Sequence, residues 1–368
     1  MLTTMKIVIA AWHLRDFNVG LGRYTQNLIE SLGRVDQENE YEILVPVDSS
    51  SFTPRPNVHY HVCRYPVLKR RFWEQMATRL VGKYDLVHFP YDSCLAGKRG
   101  KFIVTIHDVK HLLYPKPVKR LNLARLVKRL LIPRPLKNID HIITVSECSR
   151  RDIIAKLGVP NDLVTVIPQG VEQGKFLPLS EERSHESELR PSVLCVAGSD
   201  PTKNVHTLIR AFSLLPEKIQ ARCELILVGD VKKQGELHQL VKQKGLESRT
   251  RYSGVVSDQQ LVCYYQQASV FVFPSLYEGF GLPVLEAMAC GCPVVCSQTS
   301  SLPEVVGDAA LMVDPVDAMA MKNAIERILT DPVLQRRMRE AGLQRAKKFS
   351  WDHTARQTAR LYERVVNA

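Results

Sequence analysis

The chain has 368 residues, of which 45% are hydrophobic and 24% charged, with a formal net charge of +12 at pH 7. This length suits two domains of about 100–200 residues each, and the composition is typical of globular proteins. No apolar run approaches the ~20 residues of a membrane-spanning helix, which excludes a helical membrane protein. The apolar run Ile7–Trp12 meets charges at Arg15 and Asp16 too early for a signal peptide, so we expect a cytosolic protein.

Short apolar strands alternate with helical stretches along the chain. The candidate strands of the first half are Lys6–Trp12, Tyr41–Val45, Leu86–Phe89, Phe102–Ile106, His141–Val145 and Val164–Ile167. Those of the second half are Ser192–Val196, Glu224–Val228, Val270–Phe273 and Pro293–Cys296. Two such series predict an α/β protein with two Rossmann-like domains and parallel sheets.

These series set the predicted domain boundaries. The N-terminal domain covers residues 1–172 and the second domain residues 191–350. Between them, residues 173–190 have no apolar period and are followed by Pro191, as in a linker. Residues 351–368 are predicted to form a helix that crosses back to the first domain.

The nine cysteines lie between Cys63 and Cys296 without a Cys-x-x-Cys pair. Cys290 and Cys292 flank one glycine, a spacing unlike that of zinc knuckles. We expect small buried thiols in a reducing compartment, with no metal and no disulfide.

The stretch SLYEGFGLPVLEAMACGCPVV, which begins at Ser275, contains a glycine bend followed by an apolar helix. Pro suits the first turn of a helix and Gly the position just past its end, so the helix is predicted over Pro283–Cys290, before Gly291. Unpaired N–H groups and partial positive charge at its N-terminus favour phosphate.

Two carboxylates, Glu278 and Glu286, stand on either side of this bend. Carboxylates accept hydrogen bonds from sugar hydroxyls, so the pattern fits a nucleotide sugar with a ring on each side of a diphosphate. The alternative is a strand–loop–helix in which the glutamates only cap the helix.

This stretch resembles the E-x7-E signature of the retaining glycosyltransferases of family 4, which have the GT-B fold. Seven further segments look like that family, in its order. They are GLGRYTQNLIESL (Gly20–Leu32), TIHDVKHLLYP (Thr105–Pro115), ITVSECSRRDIIAKLGVP (Ile143–Pro160), VIPQGVE (Val166–Glu172), DPTKNVHTLIRAF (Asp200–Phe212), SSLPEVVGDAALMVDP (Ser300–Pro315) and FSWDHTARQT (Phe349–Thr358). The resemblance covers nearly the whole chain and implies two Rossmann-like domains whose sheets face a central cleft.

The resemblance also implies roles for residues of the second domain. The first glutamate of the signature contacts the donor sugar and the second the ribose, which gives these roles to Glu278 and Glu286. Lys203 matches the lysine that binds the diphosphate, where a cation stabilises the leaving group. Asn204 is assigned to the donor as well. The backbone N–H groups assigned to the sugar and diphosphate are those of Gly279, Phe280, Gly281 and Leu282.

One family feature is missing near Lys203. An arginine often precedes this lysine in the family, but the segment Gly198–Lys203 has none. Either Lys203 works alone with the helix dipole, or another base such as Arg210 or Lys233 helps.

In the first domain, Gly20 and Gly22 are predicted to form a turn that opens a helix and, by resemblance, closes over the phosphates. Arg23 is either buried support or a ligand. His107 ends a strand pattern, at the edge where open α/β sheets bind ligands. The resemblance places His107 by the donor sugar, with its main-chain carbonyl stabilising positive charge or its ring bonding a hydroxyl. Asp108 is expected to hold loop geometry.

Family membership implies retention of anomeric configuration. Since no carboxylate is a clear nucleophile for double displacement, we predict front-face substitution with Glu278, His107 and Lys203 as catalytic residues. The chain has no Asp-x-Asp pair, so neither a metal nor another cofactor is expected. An NAD-dependent oxidoreductase is disfavoured, because a GxGxxG motif with a following acid is missing. A GT-B-fold nucleotide-sugar isomerase and a non-catalytic binding subunit are the remaining alternatives.

Positive charge is concentrated in residues 1–172, with 26 Lys and Arg against 16 Asp and Glu, whereas the remainder has 24 against 22. A basic run, Leu68–Trp73, precedes a helical pattern with one apolar and one basic face. The apolar face holds Leu123, Leu126, Val127 and Leu130, and the basic face holds Arg125, Lys128 and Arg129. Two interpretations stay open: this surface meets an anionic membrane or an acidic lipid-linked acceptor, or the helix packs on its own domain. No nucleic-acid partner is expected.

The segments GLGRY, TIHD and PTKN together look most like mannosyltransferases of bacterial surface polysaccharide synthesis. GDP-mannose is therefore the first predicted donor, before UDP-glucose and UDP-N-acetylglucosamine. The predicted acceptor is a glycan or a lipid-linked glycan, and the predicted location is the cytoplasm or the inner face of its membrane.

Overall fold

The computed structural model describes residues 4–15, 20–46, 53–64, 70–93, 99–115, 138–179, 190–198, 200–231 and 235–368. Internal contacts divide the chain into two domains. The first domain comprises Met1–Gly170 and Ser350–Ala368, and the second comprises Val171–Phe349. The chain therefore changes domain at Gly170, two residues before the predicted boundary, and residues 180–189 of the predicted linker lie outside the described residues.

The first domain contains a seven-stranded parallel sheet in the order β3-β2-β1-β4-β5-β6-β7. Its strands are β1 (Lys6–Ala10), β2 (Glu40–Val45), β3 (Val58–Val62), β4 (Leu86–Phe89), β5 (Lys101–Thr105), β6 (His141–Thr144) and β7 (Val164–Val166). Its helices are α1 (Gly20–Val35), α2 (Arg70–Leu80), α3 (Lys110–Leu113) and α4 (Glu147–Leu157), with short 3-10 turns at Trp12–Arg15 and Asn161–Leu163.

The second domain contains a six-stranded parallel sheet in the order β10-β9-β8-β11-β12-β13. Its strands are β8 (Ser192–Val196), β9 (Glu224–Val228), β10 (Thr250–Gly254), β11 (Val270–Phe273), β12 (Val294–Ser297) and β13 (Leu311–Val313). Its helices are α5 (Val205–Ser213), α6 (Glu217–Gln220), α7 (Gly235–Gln243), α8 (Asp258–Gln267), α9 (Leu282–Ala289), α10 (Leu302–Val306), α11 (Ala318–Thr330) and α12 (Pro332–Ala346). Short 3-10 turns lie at Pro201–Lys203, Glu247–Arg249 and Gly307–Ala309.

The last helix, α13 (Trp351–Asn367), belongs to the first domain. Ser350 caps it by accepting a hydrogen bond from the His353 N–H at 3.2 Å. The Tyr362 hydroxyl lies 2.6 Å from His88 Nδ1, inside the sheet layer. Thr354 Oγ1 donates to the Pro168 carbonyl at 2.7 Å. These contacts hold α13 against the core of the first domain.

Buried strands and edge strands differ in sequence. β4, β11 and β12 are buried at every position, as expected of strands covered on both faces by helices. Three of the four edge strands, β3, β10 and β13, were not predicted, whereas the edge strand β7 was. Their sequences VHYHV, TRYSG and LMV are polar, irregular or very short, because an edge strand is covered less completely.

The strand order reverses between β1 and β4 in the first domain and between β8 and β11 in the second. At such a point, consecutive loops leave toward opposite sides and open a crevice at the carboxyl ends of the strands. Each domain thus has one position where the topology favours a ligand site.

Candidate functional site

In the second domain, the loops that follow β8 and β11 meet at the reversal point. The two strands pair directly, with Val270 opposite Val193 and Phe271 opposite Leu194. Beyond the strands, the Leu276 N–H donates to the Thr202 carbonyl at 2.8 Å. This bond joins the loop that carries Lys203 to the loop that carries Glu278.

Lys203 is placed by a capped 3-10 turn. The Asp200 carboxylate accepts from the Thr202 N–H at 3.0 Å and from its hydroxyl at 2.9 Å, which starts the turn. Lys203 Nζ then lies 2.8 Å from Glu278 Oε1 and 4.8 Å from the ring centroid of Phe273. The lysine and glutamate side chains are 23% and 14% exposed, so this ion pair is only partly open to water.

The pair has a clear chemical capacity. Each charged group loses hydration at this depth and is balanced here by the other. A ligand can replace this ion pair if it presents an anionic group to Lys203 Nζ and a hydroxyl group to Glu278 Oε1. Each side chain then exchanges its partner in the pair for a partner on the ligand. A phosphate next to a sugar ring has both features.

Two serines in the loop after β12 hold the backbone around Glu278. The Glu278 N–H donates to Ser300 Oγ at 3.1 Å. Ser301 Oγ lies 2.9 Å from the Glu278 carbonyl and 2.6 Å from the Phe280 carbonyl, which share its one hydroxyl hydrogen. Ser300 has a left-handed backbone conformation, with a φ of 55°. Neither serine was predicted as a site residue, although both lie in the segment SSLPEVVG that carried part of the resemblance.

The glycine bend itself depends on Gly281. Its φ of +117° is a conformation that side chains rarely adopt, and an added Cβ would lie 2.7 Å from Leu302 Cδ2. Gly281 is the N-cap of α9, which begins at Leu282, one residue before the predicted start, and Gly291 has the expected positive φ of +73° beyond its end. The N-terminus of α9 therefore opens at the bend.

The remaining predicted residues of this bend have defined positions. Gly279 and Phe280 are buried, and Leu282 is half-buried. The Phe280 ring packs edge-on against Phe349, with centroids 5.9 Å apart. The assignment of the backbone N–H groups of Gly279 to Leu282 to a sugar and a diphosphate stays a prediction.

Glu286 lies inside α9 and is 5% exposed. Its Oε2 accepts a hydrogen bond from the Tyr265 hydroxyl of α8 at 3.1 Å. The N-cap of α9 is Gly281, which has no side chain, and the bonds of Glu278 and Glu286 to Lys203 and Tyr265 favour a site role over the capping alternative.

The side chain of Asn204, which was assigned to the donor, is bonded within the protein. Its amide nitrogen donates to the carbonyls of Pro274 at 3.0 Å and Pro315 at 2.7 Å, and Oδ1 accepts from Thr207 Oγ1 at 2.8 Å. Both amide hydrogens are used, and the residue is 7% exposed. Asn204 thus joins the loops of the site, and its contact with the donor stays a prediction.

The two bases considered in place of the missing arginine differ in position. Arg210 is exposed near the end of α5, whereas Lys233 lies outside the described residues. The second domain therefore presents Lys203 as the cation that directly contacts Glu278.

His107, in the first domain, follows β5 by two residues. Its Nε2–H donates to the Pro90 carbonyl at 3.1 Å, and its Nδ1 accepts from Gln169 Nε2 at 3.3 Å. Burial lowers the pKa of His107, so the ring is neutral. The His107 carbonyl accepts from Ser149 Oγ at 2.9 Å and retains a second lone pair. Both ring nitrogens are therefore already hydrogen-bonded, whereas the carbonyl oxygen can still accept a hydrogen bond from a ligand.

Gly20 and Gly22 lie in the first turn of α1, not in a separate turn before it. Gly20 has open space around its Cα, and Gly22 is buried. Asp108 Oδ1 accepts from the Lys110 N–H at 2.8 Å, which is the loop-holding role expected of it. Arg23 is half-buried, and its main-chain carbonyl accepts from Asn27 Nδ2 at 3.0 Å.

Eight of the nine cysteines lie in the described residues, and all eight are free. Six are buried, whereas Cys148 is half-buried and Cys263 exposed, so the expectation of uniformly buried thiols was too broad. Burial raises the pKa of Cys290 to about 12, which keeps its thiol protonated. Within the described ranges, no three His, Cys, Asp or Glu side chains are arranged to hold a metal ion.

The predicted basic helix at Leu123–Leu130 lies outside the described residues. Of the run Leu68–Trp73, Arg70 and Trp73 have described side chains, and Trp73 is fully buried. Among the described helices, none combines the length and apolar character needed to cross a bilayer. Contact with a membrane surface stays a prediction.

Two family models together match most of the chain. The model described as Glycosyltransferase Family 4 matches residues 19–174, and the model described as Glycosyl transferases group 1 matches residues 180–345. The first therefore matches the segment with His107, and the second the segment with Lys203, Glu278 and Glu286.

Individual proteins agree with these models. The chain is 30% identical to O-antigen chain mannosyltransferase B of Escherichia coli, over 98% of the chain and 100% of that protein. It is 34% identical to MMP alpha-(1->4)-mannosyltransferase of Mycolicibacterium hassiacum, over 62% of the chain and 55% of that protein. The structure of a sucrose-phosphate synthase from Thermosynechococcus elongatus superposes with a TM-score of 0.79 and 24% identity, over 98% of the chain and 99% of that structure. The predicted GT-B fold is confirmed, and the chain belongs to the family 4 (group 1) glycosyltransferases.

Proposed function

We propose that this glycosyltransferase transfers mannose, with retention of configuration, from GDP-mannose to a glycan or lipid-linked glycan of a surface polysaccharide. The observation that carries this proposal is the Lys203–Glu278 ion pair at the sheet reversal of the second domain. The choice of mannose and of polysaccharide is supported by the likeness to O-antigen chain mannosyltransferase B.

The donor diphosphate takes Lys203 Nζ in this proposal, and the donor sugar takes Glu278. Negative charge grows on the diphosphate as the glycosidic bond breaks, and a fixed ammonium group stabilises that charge most in the transition state. Glu278 holds a sugar hydroxyl and fixes the ring so that the acceptor oxygen approaches from the side of the leaving group.

Glu286 has a supporting role in this proposal. Its Oε2 is bonded to Tyr265, and a carboxylate has further lone pairs that can accept from a ribose hydroxyl. The proposal assigns the His107 carbonyl to the donor sugar and requires no divalent metal, because Lys203 supplies the positive charge at the diphosphate.

The test is a transfer assay with a panel of GDP-mannose, UDP-glucose and UDP-N-acetylglucosamine, with mannosides as acceptors. We expect GDP release that depends on acceptor, an α-linked product by NMR, and the same rate after treatment with EDTA. Lys203→Ala and Glu278→Gln should each lower kcat at least about 100-fold, as removal of a transition-state contact does. A UDP-sugar used in preference contradicts the donor, and full transfer by both variants contradicts the site. An altered donor formed without acceptor indicates an isomerase.

A further inference from the structure

A glutamine that the sequence analysis did not assign to the site contacts His107. Gln169 follows β7 by three residues, and His107 follows β5 by two. Strands β5 and β7 each pair in parallel with β6, so the loops that leave their carboxyl ends lie at one edge of the sheet. The topology therefore brings Gln169 beside His107.

The hydrogen bonds of the His107 ring determine which nitrogen carries the proton. The Pro90 carbonyl can only accept and lies 3.1 Å from Nε2, so Nε2 carries the hydrogen. A neutral imidazole has one N–H, which leaves Nδ1 as an acceptor. Gln169 Nε2 lies 3.3 Å from Nδ1 and is the donor that this acceptor requires. The ring is thus held at both nitrogens, from two different loops.

The Gln169 amide is explained by His107 and not by the stability of the fold. Gln169 is 6% exposed, and among the described residues its side chain forms a hydrogen bond with His107 alone. Its Oε1 is buried without a hydrogen-bond partner in that part of the chain. An unpaired buried oxygen destabilises the folded state, and an apolar side chain of similar size would avoid this cost. Such a residue indicates a function.

Other buried side chains hold His107 as well. The Tyr24 ring is fully buried and packs edge-on against the His107 ring, with centroids 4.5 Å apart. Ser149 is also fully buried, and its Oγ donates to the His107 carbonyl at 2.9 Å. The Ser149 N–H donates in turn to Ser146 Oγ, at the N-cap of α4, at 3.0 Å. The ring and the carbonyl of one residue therefore have separate supports.

The position of the ring limits the direction of the carbonyl. Both groups are attached to the same Cα, so a ring that is bonded at two nitrogens resists changes of the main chain at His107. Ser149 occupies one lone pair of the carbonyl oxygen, and the second lone pair keeps a fixed direction. A dipole that is fixed in advance stabilises developing positive charge without reorganisation during the reaction.

We infer that Gln169 is a positioning residue: by donating to Nδ1 it fixes the His107 ring and so directs the His107 carbonyl toward the donor sugar. This inference rests on the proposed function, which assigns that carbonyl to the donor sugar. Gln169 acts through His107 and does not itself contact the substrate.

Heteronuclear NMR of the imidazole nitrogens tests the bond between Gln169 and His107 directly. The His107 signals are identified by their absence from His107→Gln. In the wild type we expect Nδ1 without a proton and Nε2 with one. A carboxylate cannot donate, so in Gln169→Glu we expect Nδ1 to gain a proton and to donate it to the new side chain. The control is Gln220→Glu, which alters a half-buried glutamine that donates to the Phe212 carbonyl at 3.2 Å and should leave the His107 signals unchanged.

Transfer kinetics test whether the held ring matters to the reaction. Gln169→Met keeps the length of the side chain without its hydrogen bond, so we expect kcat to fall about tenfold while the affinity for GDP is unchanged. This variant carries no charge and tests the inference even if Gln169→Glu does not fold. If Gln169 acts only through His107, the double variant Gln169→Met/His107→Gln should be no slower than His107→Gln alone. Gln220→Met should transfer at the wild-type rate.

The contrary results are distinct. A wild-type Nδ1 that carries the proton, or an Nδ1 that gains none in Gln169→Glu, overturns the inference. So does a kcat of Gln169→Met equal to that of Gln220→Met, a loss of GDP affinity in Gln169→Met, or a double variant slower than His107→Gln by the full factor of Gln169→Met. No transfer by the wild type from any of the three donors counts against the proposed function instead, and the NMR signals then show whether Gln169 holds His107.

Discussion

Glu278 is held in place by backbone contacts more than by its own side chain. Ser301 is fully buried and shares its hydroxyl hydrogen between two carbonyls of the bend, while Ser300 accepts from the Glu278 N–H. The carboxylate is then positioned against Lys203 by a loop that has little freedom to rearrange. Such support lowers the cost of ordering the site when a ligand binds.

The sequence assigned Lys203 and Glu278 to one donor site, but it did not predict their ion pair or the bonds of Asn204. Lys203 and Glu278 follow strands that pair, so a correct sheet order brings them together. The partners of Asn204 include the Pro315 carbonyl, 111 residues away, and a carbonyl leaves no signal in the sequence. Ser300 and Ser301 were missed for the same reason, because they bond to backbone atoms.

Replacement of Gly281 by alanine should destabilise the protein. Gly281→Ala places a Cβ 2.7 Å from Leu302 Cδ2 at a φ of +117°, so we expect a loss of about 2–3 kcal/mol in the free energy of unfolding and a large loss of transfer activity. The control is Gly245→Ala, with a φ of +65° and open space, which should lose only about 1 kcal/mol. Urea unfolding measures both, and equal losses would contradict the close approach at Gly281.

Among the elements, burial decided which ones the sequence could predict. β8, β9 and β11 were predicted at their observed bounds, since each is a continuous apolar run between polar loops. The edge strands β3 and β13 lack that run, so only pairing with a neighbour defines them. The helix after the bend was predicted within one residue because proline and glycine mark its two ends.

Two buried titratable groups on neighbouring elements of the first domain give opposite pH dependences. Burial lowers the pKa of His88, on β4, to about 3 from 6.5, and raises that of Glu74, on α2, to about 7 from 4.5. The contribution of neutral His88 is complete above pH 6.5 and is lost as the pH falls toward 3. That of protonated Glu74 is complete below pH 4.5 and is lost as the pH rises through 7.

In wild type these two dependences offset each other between pH 5 and 6.5, so single variants should separate them. From pH 6.5 to 5, Glu74→Gln should lose stability relative to wild type and His88→Gln should gain it, each by at most about 2 kcal/mol. Urea unfolding at pH 5.0, 5.75 and 6.5 measures this. Curves parallel to wild type for both variants would contradict the burial of these groups.

For the molecule as a whole, the same strand reversal occurs once in each domain, and each reversal carries polar side chains of different character. In the second domain a lysine and a carboxylate form an ion pair suited to a phosphate and a sugar. In the first, Arg70 lies between the buried carboxyl group of Glu74 and the exposed carboxylate of Asp92. The alternating strand pattern predicted both sheets. The identity of the sugars depends on individual side-chain contacts, which the pattern of apolar residues does not predict.

Isothermal titration of GDP tests the central claim most directly, because the claim assigns the diphosphate to Lys203 and the sugar to Glu278. Lys203→Ala should weaken GDP binding at least about tenfold, since a charged contact to the phosphates is lost. Glu278→Gln should bind GDP as tightly as wild type or more tightly, because Glu278 no longer competes for Lys203. Lys218→Ala, an exposed lysine on α6, is the control and should leave binding unchanged. Wild-type affinity in Lys203→Ala, or equal weakening in Lys203→Ala and Glu278→Gln, would contradict the account.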